Sequence, residues 1–305
     1  MSAIKDKRAF PLAIPLMSAL VIIALLPLIF LPSLKNFGVS DGVMPEKIEY
    51  LGESYPARDF LVGCIMYNMT ALESPPNKNQ QEGVNAAACC LKSTITFLYS
   101  KNQLSRTSFP AVYFIDCTKA SIYFGADYPY YLSSAEIAAD YALSKSTATV
   151  LMPVCPLSSG SLISPSDVSL DAQHIKRLYC PKDKNSPYYE GGCQLTESGI
   201  AEKLLLAFPS LVISPSEKSL ITDIKTDSGG NVLSLNCCGI NMSGFQFIRL
   251  FDIRSVNFKM TRSQNLYTFK TKGVGDSIGM SFYSAIKLSE AGNTAEEIIG
   301  TFFNL

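Results

Sequence analysis

From Phe10 to Leu34 the chain carries no charged side chain, and no other stretch limits its fold as sharply. The only polar side chains in this run are Ser18 and Ser33. As a helix rising ~1.5 Å per residue it would reach about 37 Å, enough to cross a hydrocarbon core of ~30 Å. A cleaved signal peptide would show a shorter apolar core followed by small residues, which Leu28 to Leu34 do not offer. The run therefore reads as a retained transmembrane anchor, with Pro27 kinking or ending the helix. Lys5, Lys7 and Arg8 precede it against one acid, Asp6, so the expectation is a single-pass membrane protein with a cytoplasmic N-terminus and an extracytoplasmic C-terminal domain. The bilayer is then the first expected partner.

The cysteines agree with that placement. All nine, Cys64, Cys89, Cys90, Cys117, Cys155, Cys180, Cys193, Cys237 and Cys238, follow the apolar run, where an oxidising compartment would lie, and all are disulfide candidates. An odd number leaves at least one unpaired, and sequence does not fix connectivity. Cys180 and Cys193 bracket a turn-rich polar loop whose ends a disulfide could clamp. Asn68-Met-Thr70 and Asn241-Met-Ser243 are glycosylation sequons on the same side. The formal net charge is zero, with no basic stripe or tail, which argues against nucleic acid as a partner.

The expected architecture is α+β. Residues 1–9 form a tail, 10–34 the anchor, 35–59 a Gly- and Pro-bearing stalk, 60–160 a mixed α/β part, and 161–305 a β-rich part with short helices. Phe60 to Tyr67, Ala111 to Ile115, Ser121 to Phe124 and Thr147 to Met152 are apolar runs suited to strands. Val84 to Tyr99 is expected to be mostly helical, and Ser133-Ser-Ala-Glu136 has the form of a capping box opening a helix to about Lys145. Short helices are expected at Asp171–Tyr179 and along Ile200, Leu204 and Phe208. Leu220–Thr226 and Val232–Cys237 flank Asp227-Ser-Gly-Gly230 as a hairpin. Alternation at Val256, Phe258 and Met260, and again at Met280, Phe282, Ser284, Ile286 and Leu288, predicts an antiparallel C-terminal sheet, closed by a helix from Thr294 to Phe303.

Chemistry-bearing motifs are sparse. Gly275-Asp-Ser-Ile-Gly279 matches the nucleophile-elbow pattern, so Ser277 could act with the single histidine, His174, and with Asp223 or Asp227. A hairpin loop would carry the same glycines, and His174 sits beside Lys176 and Arg177 as a surface residue would. One histidine excludes a His-based metal cluster, no Cys-x-x-Cys pair offers a zinc site, and no phosphate-cradling loop occurs, so no cofactor is expected. Tyr128-Pro-Tyr-Tyr131 and Pro187-Tyr-Tyr189 are possible contact aromatics.

Lys7-Arg8-Ala9 before Phe10 and a long apolar helix resembles the leader of type IV pilin and pseudopilin precursors. That resemblance implies cleavage before Phe10 and a helix that packs into a filament, although Ile14 stands where those families usually carry glutamate. The leading expectation is a non-enzymatic structural or interaction protein of an envelope or cell surface, meeting other membrane or surface proteins or itself. A filament subunit and a membrane-tethered serine hydrolase using Ser277 are the alternatives.

Overall fold

Residues 43–104, 112–213 and 219–305 are described by a computed structural model. The tail, the anchor and the cleavage point before Phe10 lie outside these residues. Within them no helix is long and apolar enough to cross a membrane, which corrects the single-pass placement and the orientation built on it.

The stalk reading gives way, from Lys47, to a hairpin. Strands β1 (Lys47–Tyr50) and β2 (Glu53–Pro56) pair antiparallel. Leu51 and Gly52 between them both take positive φ, 52° and 87°, as a two-residue turn with the right twist requires. Ile48 is buried, and the Glu46 carbonyl accepts from Ala57 N–H at 2.9 Å, which leads the hairpin into α1 (Ala57–Met69). This helix replaces the expected strand at Phe60–Tyr67. Phe60 through Met66 are all buried, so the segment carries no polar face from which a period could be read.

Helix α2 (Gln81–Ser100) occupies the middle of the first core, with an unbroken buried run from Gly83 to Thr96. Helix α3 (Cys117–Phe124) replaces the expected strand at Ser121, capped by the Asp116 carboxylate, which accepts from Lys119 N–H at 2.8 Å. Helix α4 (Tyr128–Ser144) begins five residues ahead of Ser133 and packs Ala135, Ala138, Ala139 and Ala142 inward. Arg58 of α1 holds Asp140 of α4 through Nε and Nη2 at 2.7 and 3.0 Å.

The second core is built around sheets. Strands β4 (Glu190–Thr196), β9 (Leu266–Lys272) and β8 (Asn257–Ser263) form one antiparallel sheet in that order, with Cys193 and Met260 both opposite Phe269. Strands β5 (Ile221–Thr226), β6 (Val232–Cys237) and β7 (Ile240–Ser243) form another. The Asp227 turn joins β5 to β6, its Oδ1 accepting from Gly229 and Asn231 N–H, each at 2.8 Å. Helices α5 (Glu197–Ala207) and α6 (Gly244–Phe251) supply the remaining layer.

The C-terminal region is corrected most. Strand β10 is only Met280–Ser281, pairing parallel with β3 (Val154–Cys155), and the chain then turns into α7 (Phe282–Glu290) and α8 (Ala295–Phe302), which return to the first core. The fold is a mixed α/β arrangement with several small sheets, not an α/β half followed by one antiparallel sheet. No strand forms at Thr147–Met152, and no helix at Asp171–Tyr179. The disulfide framework is also corrected, since all nine cysteines are free thiols. Cys180 packs in the first core while Cys193 lies against the second, so the expected clamp is not formed.

A candidate binding cleft lined by tyrosines and arginine

A cleft of 480 Å³ is walled by residues of both cores. Tyr50, Tyr67, Tyr113 and Phe114 come from the helical side, and Ile248, Arg249 and Arg254 come from α6 and the segment that follows it. Tyr67 lies on the last turn of α1, and its ring stacks on Tyr113 with centroids 5.0 Å apart and planes 9° from parallel. That close pair forms a flat wall. Gly63, one turn earlier on α1, leaves the room that the Phe114 ring and the Ile115 carbonyl fill, so any Cβ there would displace them.

Two polar groups in this wall are poorly matched by the protein itself. The Tyr113 hydroxyl is buried and has no hydrogen-bond partner, and burial together with nearby Asp276 pushes it well above the usual phenol range. Arg254 is half-buried; its Nη1 donates to the Glu190 carbonyl at 3.4 Å and its Nη2 to the Tyr188 carbonyl. Burial lowers its pKa, while the Tyr123, Tyr188 and Tyr67 hydroxyls in electrostatic range act the other way. Burial likewise pushes the Tyr67 hydroxyl up to about 12. The cleft therefore offers the half-buried guanidinium of Arg254, with Arg249 also in its lining, beside aromatic faces, which suits recognition of a polar ligand.

The serine motif is elsewhere in purpose. Ser277 is fully buried at φ 52°, its Oγ accepting from Ser159 N–H at 3.2 Å and its carbonyl from Ile163 N–H at 2.7 Å. Gly275 and Gly279 take φ of 94° and 77°, and a Cβ on Gly279 would collide with the Pro153 carbonyl. Glycine is needed there to let two backbones touch. His174 bonds to the Leu151 carbonyl at 2.6 Å, Asp223 accepts from the Thr222 hydroxyl at 3.0 Å, and Asp227 serves its own turn. Each residue of the supposed triad is engaged with a different neighbour, and an elbow serine has to be exposed to attack.

Asn68 is buried and its Nδ2 donates to the Cys64 carbonyl at 2.9 Å, which closes that sequon to a glycan. Asn241 is exposed on β7, accepting from Asn236 Nδ2 at 2.9 Å. Among the described residues no group of three or more His, Cys, Asp or Glu side chains could hold a metal ion.

One residue that sequence reasoning passed over ties together distant segments of the first core. Asp183 is fully buried; its Oδ2 accepts from Ser158 N–H at 2.9 Å, Ser158 Oγ at 2.5 Å and Ser281 Oγ at 2.6 Å, and its Oδ1 from Ser284 Oγ at 2.6 Å. Burial raises its pKa against the opposing effect of these donors. Nothing in the polar loop from Pro181 to Gly192 distinguishes this acid from its neighbours.

No family model matches the chain. It is similar to the Stage II sporulation protein D of Bacillus subtilis (strain 168), with 20% identity over 274 residues, covering 82% of this chain and 74% of that protein.

Proposed function

We propose that this protein is a non-enzymatic structural and interaction protein of an envelope, serving a process of the kind for which its sporulation relative is named, with the tyrosine and arginine cleft as its contact surface. The observation that carries the reading is the partly desolvated Arg254 guanidinium beside the stacked rings of Tyr67 and Tyr113 in the lining of one cleft. A guanidinium held only by backbone carbonyls gains from an acceptor that a ligand brings. The sealed position of Ser277 weighs against hydrolysis at the glycine-rich turn.

Sedimentation with isolated wall material and, separately, with membrane vesicles of a spore-forming bacterium tests this. The protein is expected to pellet with one of them, and Arg254→Gln is expected to weaken that binding about tenfold, the effect of ~1.4 kcal/mol. Equal pelleting of wild type and variant, or none at all, would refute the reading. An active-site-directed phosphonate is expected to leave Ser277 unlabelled in folded protein; labelling would restore the hydrolase alternative.

A further inference from the structure

Resting on that reading of the cleft, we infer that its ligand carries a single carboxylate beside an apolar or ring-shaped body, with Arg254 supplying the counter-charge and the stacked Tyr67 and Tyr113 rings the apolar face. The guanidinium is drawn out of water, yet the groups that face it are neutral: two backbone carbonyls and the hydroxyls of Tyr67, Tyr123 and Tyr188. Among the described residues no ion pair joins it to a carboxylate. A charge held this way gains most from an anion brought by the ligand. The guanidinium plane matches a carboxylate in shape, and the two together form the stronger, charge-assisted kind of hydrogen bond.

The choice of one negative charge follows from the field at this wall. Asp276, buried on the Gly275–Ser277 turn, acts on Tyr113 more strongly than Arg249 of the cleft lining acts in the opposite sense. The balance disfavours a second negative charge on the ligand. The stacked pair Tyr67 and Tyr113, with Phe114 beside it, gives the rest of the ligand a flat apolar wall.

Hippurate is a suitable probe, because it joins one carboxylate to an aromatic amide; its neutral carboxamide and phenyl phosphate are the controls. Titration of the full chain, followed through the Arg254 Nε–H resonance and the tyrosine signals, is expected to saturate with hippurate. The carboxamide is expected to bind at least tenfold more weakly, and phenyl phosphate no more tightly than hippurate. Arg254→Gln is expected to cost tenfold or more, and Tyr67→Ala, which removes one ring of the stacked wall, about threefold, with circular dichroism confirming that each variant folds. Arg254→Lys, which keeps the charge, retains part of the affinity and guards against a purely structural loss. Equal binding of hippurate and its carboxamide, undiminished binding by Arg254→Gln, or tighter binding of phenyl phosphate would overturn the inference. Envelope sedimentation by a wild type that ignores hippurate would defeat the carboxylate assignment and leave the interaction reading standing; hippurate binding without sedimentation would do the reverse.

Discussion

The two cores of this chain are filled by opposite means. Around α2 the buried side chains are small, Ala86, Ala87, Ala88, Cys89 and Cys90, on every side of the helix, and α4 packs against it with its own alanines buried. Around α6 they are large: Phe247 packs against Phe251, Phe258 and Phe269 at centroid separations of 4.8, 5.5 and 6.0 Å. Small residues let helix backbones approach until the backbones themselves fill the space, as at Gly83, where a Cβ would strike the Ala285 carbonyl. Short twisted sheets leave wider gaps, and aromatic rings fill them. Crowding is therefore the hazard in the first region, and emptiness is the hazard in the second.

That contrast can be broken by exchange of sizes. Phe247→Ala should be the most damaging change, about 3–5 kcal/mol by urea denaturation, because neighbouring rings cannot all move into the vacated volume. A loss below about 1 kcal/mol would show that the aromatic cluster is loosely packed and would end the comparison. Asp183→Asn comes next, at about 2–3 kcal/mol, since the amide cannot accept from Ser158, Ser281 and Ser284 as a carboxylate does. Thermal unfolding of the variant followed by ring signals of the first core would show whether this pin holds α7 to the Ser158 segment. Ala87→Leu should cost about 1–3 kcal/mol by overpacking, the reverse of what added apolar surface would give in an open site. Stabilisation by this substitution would mean that the packing around α2 has slack.

The smallest expected effect is a pH slope. Burial raises the folded-state pKa of Asp183 above its value in the unfolded chain, so the folded form holds the proton more tightly. The stability linked to this proton is complete below the unfolded pKa, near 4, and is lost as pH rises through the folded pKa. Denaturation midpoints measured over that acidic range should fall with pH in the wild type more than in Asp183→Asn. Identical slopes would show that the serine donors offset burial in full.

Some of this molecule was legible before its structure. The helix at Val84–Tyr99 follows from alanine content and length, and the turn at Asp227-Ser-Gly-Gly230 from residues that accept positive φ and bond their own backbone. Thr294 and Glu297 form a reciprocal cap that starts α8 where the sequence indicates. The failures share a cause. Phe60–Tyr67 is buried on nearly every side and so shows no period, while Met280 to Leu288 shows a false one: Phe282, Ser284 and Ile286 alternate, yet the helix also buries Tyr283, Ala285 and Ser289 at helical spacing. The cysteine count suggested cross-links because composition reports what could pair, and three-dimensional separation decides what does.

The sequence by itself determined the local matters: which stretches are apolar, where turns must fall, where helices are capped, and that no metal cluster could rest on histidine. Only the tertiary structure decided that Tyr67, Tyr113 and Arg254 share one wall and that Asp183 ties Ser158 to Ser281 and Ser284. These groups lie far apart along the chain and carry no common spacing. Their meeting depends on how distant segments pack together, and side-chain burial, which sets their chemistry, exists only after that packing.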